Sequence, residues 1–164
     1  MLLFLILGHI TDMSNNSFDE ILNTKGSSGF IEFDHKNKTL NLVVQKDNKD
    51  EMTQTNDVKA LSGGERSFTT LSLLLALGES LETPFRVMDE FDVFLDPVAR
   101  KIALENLIST AKAMENRQFI FITPQDLSNV PTDPRLKIFC MKPPVRSNTV
   151  GGAAQQTLEF QASQ

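Results

Sequence analysis

The sequence contains no tryptophan and no tyrosine, and it has only one cysteine and two histidines. The single Cys140 excludes an internal disulfide, which favours a reducing intracellular compartment. Basic residues are fewer than acidic ones: the sequence has 16 Lys and Arg and 21 Asp and Glu, which gives a net charge of −5. This balance argues against a histone-like protein that binds nucleic acid through an overall cationic excess. The 12 phenylalanines and the aliphatic residues must build the core, and 164 residues suffice for one ordinary domain.

A short apolar run, MLLFLILGHI, occupies residues 1–10. It falls short of the roughly 20 residues that span a bilayer, and it lacks the basic start and the small-residue cleavage site of a secretory signal. We therefore expect no membrane partner and interpret residues 1–28 as a poorly ordered segment outside the main domain. A buried edge segment or a non-native start accounts for the apolar run, and a targeting role is the alternative.

Apolar spacing predicts an α/β fold. Residues 29–34 and 39–45 flank a polar turn, which is typical of a β-hairpin, and the polar residues 46–57 indicate a solvated loop. Helix and strand then alternate: a buried helix over 67–82, a strand at 85–88, a helix from 97 to about 116, and strands at 118–123 and 136–141. This order implies a right-handed crossover, so we expect a mostly parallel sheet with flanking helices plus the hairpin. The tail, residues 143–164, is predicted to be disordered.

A pentapeptide, Leu61-Ser62-Gly63-Gly64-Glu65, precedes the predicted buried helix. Ser62 with Glu65 three residues later has the form of a capping box, which is sufficient to explain a well-capped helix. The two glycines add bare backbone amides at the positive end of a helix, where a phosphate group can approach closely. The segment is therefore either a structural cap or a phosphate-binding loop.

Acidic residues follow the strand at 85–88. Asp89 and Glu90 stand at its carboxyl end, where open α/β sheets bind ligands, although adjacent carboxylates also occur in ordinary solvated turns. In a phosphoryl-transfer reaction Asp89 would hold Mg²⁺ through water, and Glu90 would orient and deprotonate the attacking water. Asp96, before Pro97, is a good N-cap for the next helix and can also face a neighbouring subunit.

These motifs occur in one order: the Leu-Ser-Gly-Gly-Glu loop, an apolar helix, a strand that ends in Asp-Glu, a Leu-Asp turn, a helix and a further strand. This order resembles the C-terminal lobe of a P-loop ABC-type ATPase head. The resemblance implies that residues 61–65 are the signature motif, which contacts ATP bound to a partner head. It implies further that Asp89 and Glu90 complete the Walker B strand and that Asp96 belongs to the D-loop.

The strand at 118–123 ends in Thr123-Pro124, where a transporter head normally has a histidine. The structural maintenance of chromosomes (SMC) family tolerates a hydroxyl residue at this switch position, and residues 29–142 resemble the sixth eukaryotic branch of that family. The resemblance is carried by segments 33–40, 62–68, 84–96 and 118–125, and by Arg86 in a strand where an aliphatic residue is expected. Another ABC ATPase, either a DNA double-strand-break repair head or a transporter subunit, is the alternative.

One half of an ATP site is missing from the sequence, since no Gly-x-x-x-x-Gly-Lys-Ser/Thr occurs and no glycine directly precedes a lysine. The family resemblance places the Walker A motif in a distant N-terminal half, so we expect the chain alone to be inactive in ATP hydrolysis. A non-catalytic fragment that docks on complete SMC heads is a further alternative.

The resemblance also implies partners and cofactors. The expected partners are a second SMC head in a heterodimer, a kleisin subunit, the chain's own Walker A half and DNA, and the expected cofactors are ATP and Mg²⁺. The implied setting is a nuclear, chromatin-associated complex for DNA repair and chromosome maintenance. The basic residues alone do not indicate a DNA site, because they are scattered and typical of a solvated face: Lys36, Lys38, Arg100, Lys101, Lys112 and Arg117.

Overall fold

The computed structural model describes residues 2–48, 54–81, 83–142 and 160–162. The helices are α1 (Leu2–Asn23), a 3₁₀ turn (Val58–Ala60), α2 (Gly63–Glu79) and α3 (Pro97–Ala113). The strands are β1 (Ser28–Asp34), β2 (Thr39–Gln45), β3 (Gln54–Thr55), β4 (Phe85–Asp89), β5 (Gln118–Ile122), β6 (Phe139–Met141) and β7 (Phe160–Ala162). The chain divides into two compact units, Met1–Pro124 and Gln125–Gln164.

The predicted hairpin is confirmed. β1 and β2 pair antiparallel, from Ser28 opposite Gln45 to Asp34 opposite Thr39. The two-residue strand β3 pairs antiparallel with the end of β2, so the segment predicted as a solvated loop contributes a short strand. Residues 49–53 of that segment lie outside the described part of the chain.

The prediction of a poorly ordered N-terminal segment is wrong, because residues 2–23 form α1. Phe18, Ile21 and Leu22 lie on one face of the helix and are buried in the core, whereas the first turns, with Leu3 and Phe4, are exposed. The polar run of Ser and Asn residues that precedes Phe18 conceals this helix in the sequence. Within the described residues, no helix combines the length and the apolar character needed to cross a bilayer.

Two polar side chains of α1 bind the outer edge of β1. Asn15 donates from Nδ2 to the carbonyl oxygen of Ile31 (3.1 Å), and its Oδ1 accepts from the Ile31 N–H (2.6 Å). Asp19 accepts from the Gly29 N–H at 2.9 Å. These side chains occupy positions that a neighbouring strand would use. A Cβ at Gly29 would lie 2.5 Å from the carbonyl oxygen of Val43, so this close packing requires glycine.

The core of the first unit is formed by the three helices and the hairpin. α2 begins four residues earlier than its apolar pattern indicates and ends at Glu79, and α3 ends at Ala113. Their buried faces meet side chains from α1 and the hairpin, and the cluster contains Phe18, Leu22, Ile31, Val44, Phe68, Leu71, Leu75, Ala76, Ala99, Ala103 and Leu107.

β4 and β5 form a parallel pair, with Phe85 opposite Gln118 and Asp89 opposite Ile122. One face carries Met88 and Phe121 against the core. The other face is apolar and exposed, with Phe85 63%, Val87 60%, Ile120 42% and Ile122 49% accessible. Within the described residues the remaining ladders are antiparallel: the predicted hairpin with β3, and β6 with β7. The expected parallel sheet is therefore limited to β4 and β5, because the strand predicted over 136–141 pairs with β7 instead.

In the second unit, β6 pairs antiparallel with β7, and Met141 lies opposite Phe160. The prediction of a buried strand over 136–141 is wrong, because only Phe139–Met141 are extended and all three are exposed. A short strand in a two-stranded ladder leaves its side chains open despite their apolar character. The predicted disordered tail overlaps β7, and residues 143–159 and 163–164 lie outside the described part of the chain.

Candidate functional site

The predicted capping box is present at the start of α2. The Ser62 side chain accepts from the Glu65 N–H at 3.3 Å, and the Ser62 N–H donates to Oε2 of Glu65 at 2.7 Å. Ser62 and Gly63 are exposed, so the hydroxyl and the first amides of the helix face outward. The local geometry therefore permits a helix cap and an open anion-binding end together.

Glu65 is also bound by Lys46, the residue that follows β2. Lys46 Nζ lies 3.4 Å from Oε2 of Glu65 and donates to the carbonyl oxygen of Ala60 at 3.3 Å. Burial raises the pKa of Glu65, but the hydrogen bonds from Ser62 and the charge of Lys46 outweigh it and hold the pKa below its ordinary value. Lys46 was not predicted, because its partner is distant in sequence.

The carboxyl end of β4 places Asp89 and Glu90 in an exposed position. Glu90 has a left-handed backbone with φ of 51°, and its N–H donates to the carbonyl oxygen of Ile122 at 2.9 Å. That conformation costs a non-glycine residue roughly 1–2 kcal/mol. Backbone strain of this kind concentrates at functional sites, where it directs a side chain that the regular strand would aim elsewhere.

Asp96 is the N-cap of α3, as predicted, with Pro97 in the first helical turn. Its Oδ1 accepts from the N–H groups of Val98 and Ala99, each at 3.0 Å. The hydrogen bond from Ala99, followed by that from Val98, lowers the pKa of Asp96 despite opposing desolvation. The carboxylate is exposed, so capping leaves it accessible to a neighbouring molecule.

A buried residue that sequence reasoning missed, Asp92, lies between these elements. It is 2% exposed, and its Oδ2 accepts a hydrogen bond from the hydroxyl of Thr123 at 2.7 Å. The sequence does contain a signal for it, since Asp92 is a lone charge among Phe91, Val93 and Phe94. A charged residue is rarely buried without a partner, so burial of Asp92 in such an apolar turn requires one.

The fold brings two groups of predicted residues together. Because β4 and β5 are parallel and adjacent, Asp89, Glu90 and Thr123 lie at one end of the same pair of strands. The start of α2 approaches the turn before α3, since a Cβ at Gly64 would lie 3.4 Å from the carbonyl oxygen of Phe94. The predicted signature and D-loop segments are therefore neighbours.

The donor set at the strand end fits the predicted Mg²⁺. Among the described residues there is no group of three or more His, Cys, Asp or Glu side chains that could hold a metal ion by themselves. Mg²⁺ commonly binds through one or two carboxylates together with substrate phosphates and water. The exposed carboxylate of Asp89 suits this mode, in which the nucleotide completes the coordination.

Comparison with solved structures identifies the class of fold. A crystal structure of an SMC head bound to the C-winged helix domain of ScpA has a TM-score of 0.70 at 23% identity, over 93% of this chain and 43% of that chain. A structure described under ATP-driven dimerization and DNA stimulated activation of SMC ATPases has a TM-score of 0.67 at 19% identity, over 97% and 88%. The chain has the fold of an SMC ATPase head.

Sequence comparison identifies the family. The profile described as the RecF/RecN/SMC N terminal domain matches residues 10–140, and the chain belongs to this family. Structural maintenance of chromosomes protein 6 of Dictyostelium discoideum is 43% identical over 142 residues, which are 84% of this chain and 12% of the relative. Relatives carrying that name or its 6A and 6B forms are 33–48% identical.

These matches confirm the resemblance to the sixth eukaryotic branch and support the SMC interpretation over a transporter subunit. The match begins at residue 10, so residues 10–23 of α1 lie inside the family region and the expected boundary at residue 28 is wrong. The chain spans 12% of the length of the curated relative.

Proposed function

We propose that the chain is the C-terminal lobe of an SMC ATPase head. In this function it supplies the signature motif, Walker B and D-loop for ATP-driven engagement with a partner head during DNA repair and chromosome maintenance. The observation that carries the proposal is the strained Glu90 at the exposed end of β4. A glutamate with a left-handed backbone conformation is energetically costly in an ordinary turn. This conformation suits a general base whose side chain must face a nucleotide.

Each predicted residue then has a distinct role. Asp89 holds Mg²⁺ through water, and Glu90 orients the attacking water and accepts its proton. Leu61 closes the signature loop as a buried anchor, while the Ser62 hydroxyl and the amides of Gly63 and Gly64 bind the phosphate of ATP carried by the partner head.

Three further residues support this arrangement. Glu65 holds the loop in its capped form. Asp96 meets the partner head from the D-loop, and Thr123 contributes its hydroxyl at the switch position. ATP with Mg²⁺ supplies the phosphoryl group and the charge that stabilises its transfer.

The exposed apolar face of β4 and β5 supports completion of the head by a Walker A half. Four large side chains on that face, Phe85, Val87, Ile120 and Ile122, are 42–63% accessible, although the opposite face is packed on the core. Exposed apolar patches of this kind mark interaction sites. The family description names an N-terminal domain, whereas the order of signature, Walker B, D-loop and switch without Walker A favours the C-terminal lobe.

The partners and the location belong to the same proposal. A second SMC head forms the heterodimer, a kleisin subunit binds the head, and the complex acts on DNA in chromatin within the nucleus. The kleisin is supported by the similar SMC head that is bound to a winged helix domain of ScpA. ATP-driven dimerization and stimulation by DNA are described for the other similar structure.

Reconstitution tests the catalytic role. The chain is co-expressed with a Walker A segment from a related SMC protein 6, and ATP hydrolysis is measured for the chain and for the assembled head. We expect no turnover by the chain alone. Glu90→Gln should lower kcat of the assembled head by about 10²- to 10⁴-fold while ATP stays bound, and Glu105→Gln, at an exposed position on α3, should not.

Turnover by the chain alone, or normal turnover after Glu90→Gln, would contradict the proposal. Co-purification without any ATPase would instead favour the non-catalytic fragment that docks on complete heads. Ser62→Arg tests the signature role in the same assembly, because its bulk should block ATP-dependent dimerisation measured by light scattering. Ser62→Thr preserves the helix cap and is the matched control.

A further inference from the structure

A buried carboxylate joins the two ends of the candidate site. Asp92, in the turn after β4, accepts a hydrogen bond from Thr123 Oγ1 at 2.7 Å, across a separation of 31 residues. It is 2% exposed, so the nucleotide cannot reach it directly. A buried carboxylate needs a charged or hydrogen-bonding partner to offset its lost hydration.

Arg100 of α3 is the cationic neighbour of Asp92. Its Nε lies 3.9 Å from Oδ2 of Asp92, and its Nη2 donates to the carbonyl oxygen of Leu95 at 3.0 Å. Leu95 directly precedes the N-cap Asp96, so Arg100 also holds the backbone of the D-loop. Thr123, Asp92, Arg100 and Leu95 form a continuous set of contacts, which we call the Asp92 network.

The Asp92 network ends beside the signature segment. Phe94 directly precedes Leu95. A Cβ added at Gly64 would lie 3.4 Å from the carbonyl oxygen of Phe94. The D-loop turn and the start of α2 are therefore neighbours, at a separation that would place an added Cβ in ordinary van der Waals contact. The network thus extends from the end of β5 to the predicted phosphate-binding end of α2.

Two buried atoms of this network have no hydrogen-bond partner among the described residues: Oδ1 of Asp92 and Nε of Arg100. One is an acceptor and the other a donor, and they belong to side chains that already approach within 3.9 Å. Unsatisfied buried polar atoms are uncommon and costly in native structures. Closer approach of the two side chains would pair the donor with the acceptor and remove both costs.

We propose that Asp92 is a positioning residue that couples Thr123 to the D-loop and signature backbone through closure of the Asp92–Arg100 pair. When a ligand draws the Thr123 hydroxyl away, Asp92 turns to Arg100, and Arg100 carries the change to Leu95. The catalytic consequence rests on the proposed function, because only there do Thr123, Asp96 and residues 61–65 act on ATP. The coupling itself is a property of the chain.

Amide NMR spectra of the chain test the coupling. Thr123→Val removes the hydroxyl, and we expect it to shift the backbone resonances of Gly64 and of residues 94–100. In an Asp92→Asn background the same change should add no shift at these positions, since the connection is already broken. Thr123→Ser should restore the wild-type spectrum at these positions, and Lys101→Gln, exposed beside Arg100, should leave it unchanged.

Equal shifts from Thr123→Val with and without Asp92→Asn would overturn the coupling. If Asp92→Asn does not fold, Arg100→Gln takes its place, because it interrupts the network between Asp92 and Leu95 and the partly exposed arginine is less critical for folding. The criterion is the same: the shift at Gly64 must disappear in the double variant. A shift that persists there refutes the role of Arg100 and with it the proposal.

Kinetics of the assembled head test the consequence. Asp92→Asn should lower kcat by about 10- to 100-fold and leave KM within about twofold. If the wild-type head is active and Asp92→Asn leaves its kcat per folded molecule unchanged, the positioning role of Asp92 is refuted. If the chain shows the NMR coupling but the assembled wild-type head has no ATPase activity, the proposed function is refuted and the coupling stands.

Discussion

The effect of a Gly78 substitution on the free energy of unfolding should depend on Arg86 and should change sign when the Arg86 side chain is removed. Gly78 lies in the last turn of α2, where the guanidinium of Arg86 from β4 covers it. A Cβ at this position would overlap Nη1 of Arg86 and lie 2.8 Å from its Cζ. Gly78→Ala must therefore displace the arginine side chain.

The cost of that displacement follows from the contacts of Arg86. Its Nη2 donates to the carbonyl oxygen of Leu81 at 3.0 Å, and its guanidinium lies 5.7 Å from the centre of the Phe119 ring. A charge-assisted hydrogen bond at a partly exposed site contributes about 1.5 kcal/mol and the cation–π contact about 0.5 kcal/mol. Alanine in place of glycine returns about 1 kcal/mol of helix propensity. Gly78→Ala should therefore destabilise the wild-type chain by about 1 kcal/mol.

The same substitution should stabilise the chain by about 1 kcal/mol when Arg86→Ala has already removed the obstruction. Urea denaturation followed by far-ultraviolet circular dichroism measures the four free energies of unfolding, and their coupling should be about 2 kcal/mol. Gly8→Ala in α1 is the matched control, because nothing lies within 4 Å of a Cβ there. If Gly78→Ala changes stability equally in both backgrounds, the packing argument is refuted.

Two other substitutions test the electrostatics and the core. The pKa of Glu65 in the fold lies below its ordinary 4.5, so its stabilisation is complete above about pH 4.5 and is lost as the pH falls through the folded value. Glu65→Gln should flatten the decline of the melting temperature between about pH 6 and 3, and an unchanged decline would contradict this. Leu107→Ala should cost about 2–5 kcal/mol in urea denaturation because Leu107 is fully buried. Leu74→Ala, at an exposed position, should cost less than about 0.5 kcal/mol, and equal costs would refute the assignment of the core.

The features that the sequence predicts well are those whose causes are local. Ser62 and Glu65 are three residues apart, and Asp96 caps amides two and three residues ahead, so residue type and spacing suffice to identify both caps. The hairpin is similar, because its register follows from two apolar runs around one short turn. The strand that ends at Asp89 is predictable for the same reason.

The features that the sequence does not predict depend on contacts between distant segments. Asn15 binds Ile31 across 16 residues, and Asp92 binds Thr123 across 31. Neither partner is marked by local spacing, so the sequence indicates neither the order of α1 nor a role for Asp92. The strand near Phe139 differs from its prediction for another reason, since apolar character indicates a tendency to be buried but does not supply a surface that covers the strand.

The contacts of Asn15 and Asp19 with β1 also bear on how copies of the chain meet. An open strand edge accepts strands from other molecules, which leads to domain swapping and to fibril growth. The N–H of Gly29 and both backbone polar groups of Ile31, which an incoming strand requires, are already bound by side chains of α1. A foreign strand must displace the helix before it can extend the hairpin sheet on this side. The helix is therefore a built-in barrier to aggregation through β1.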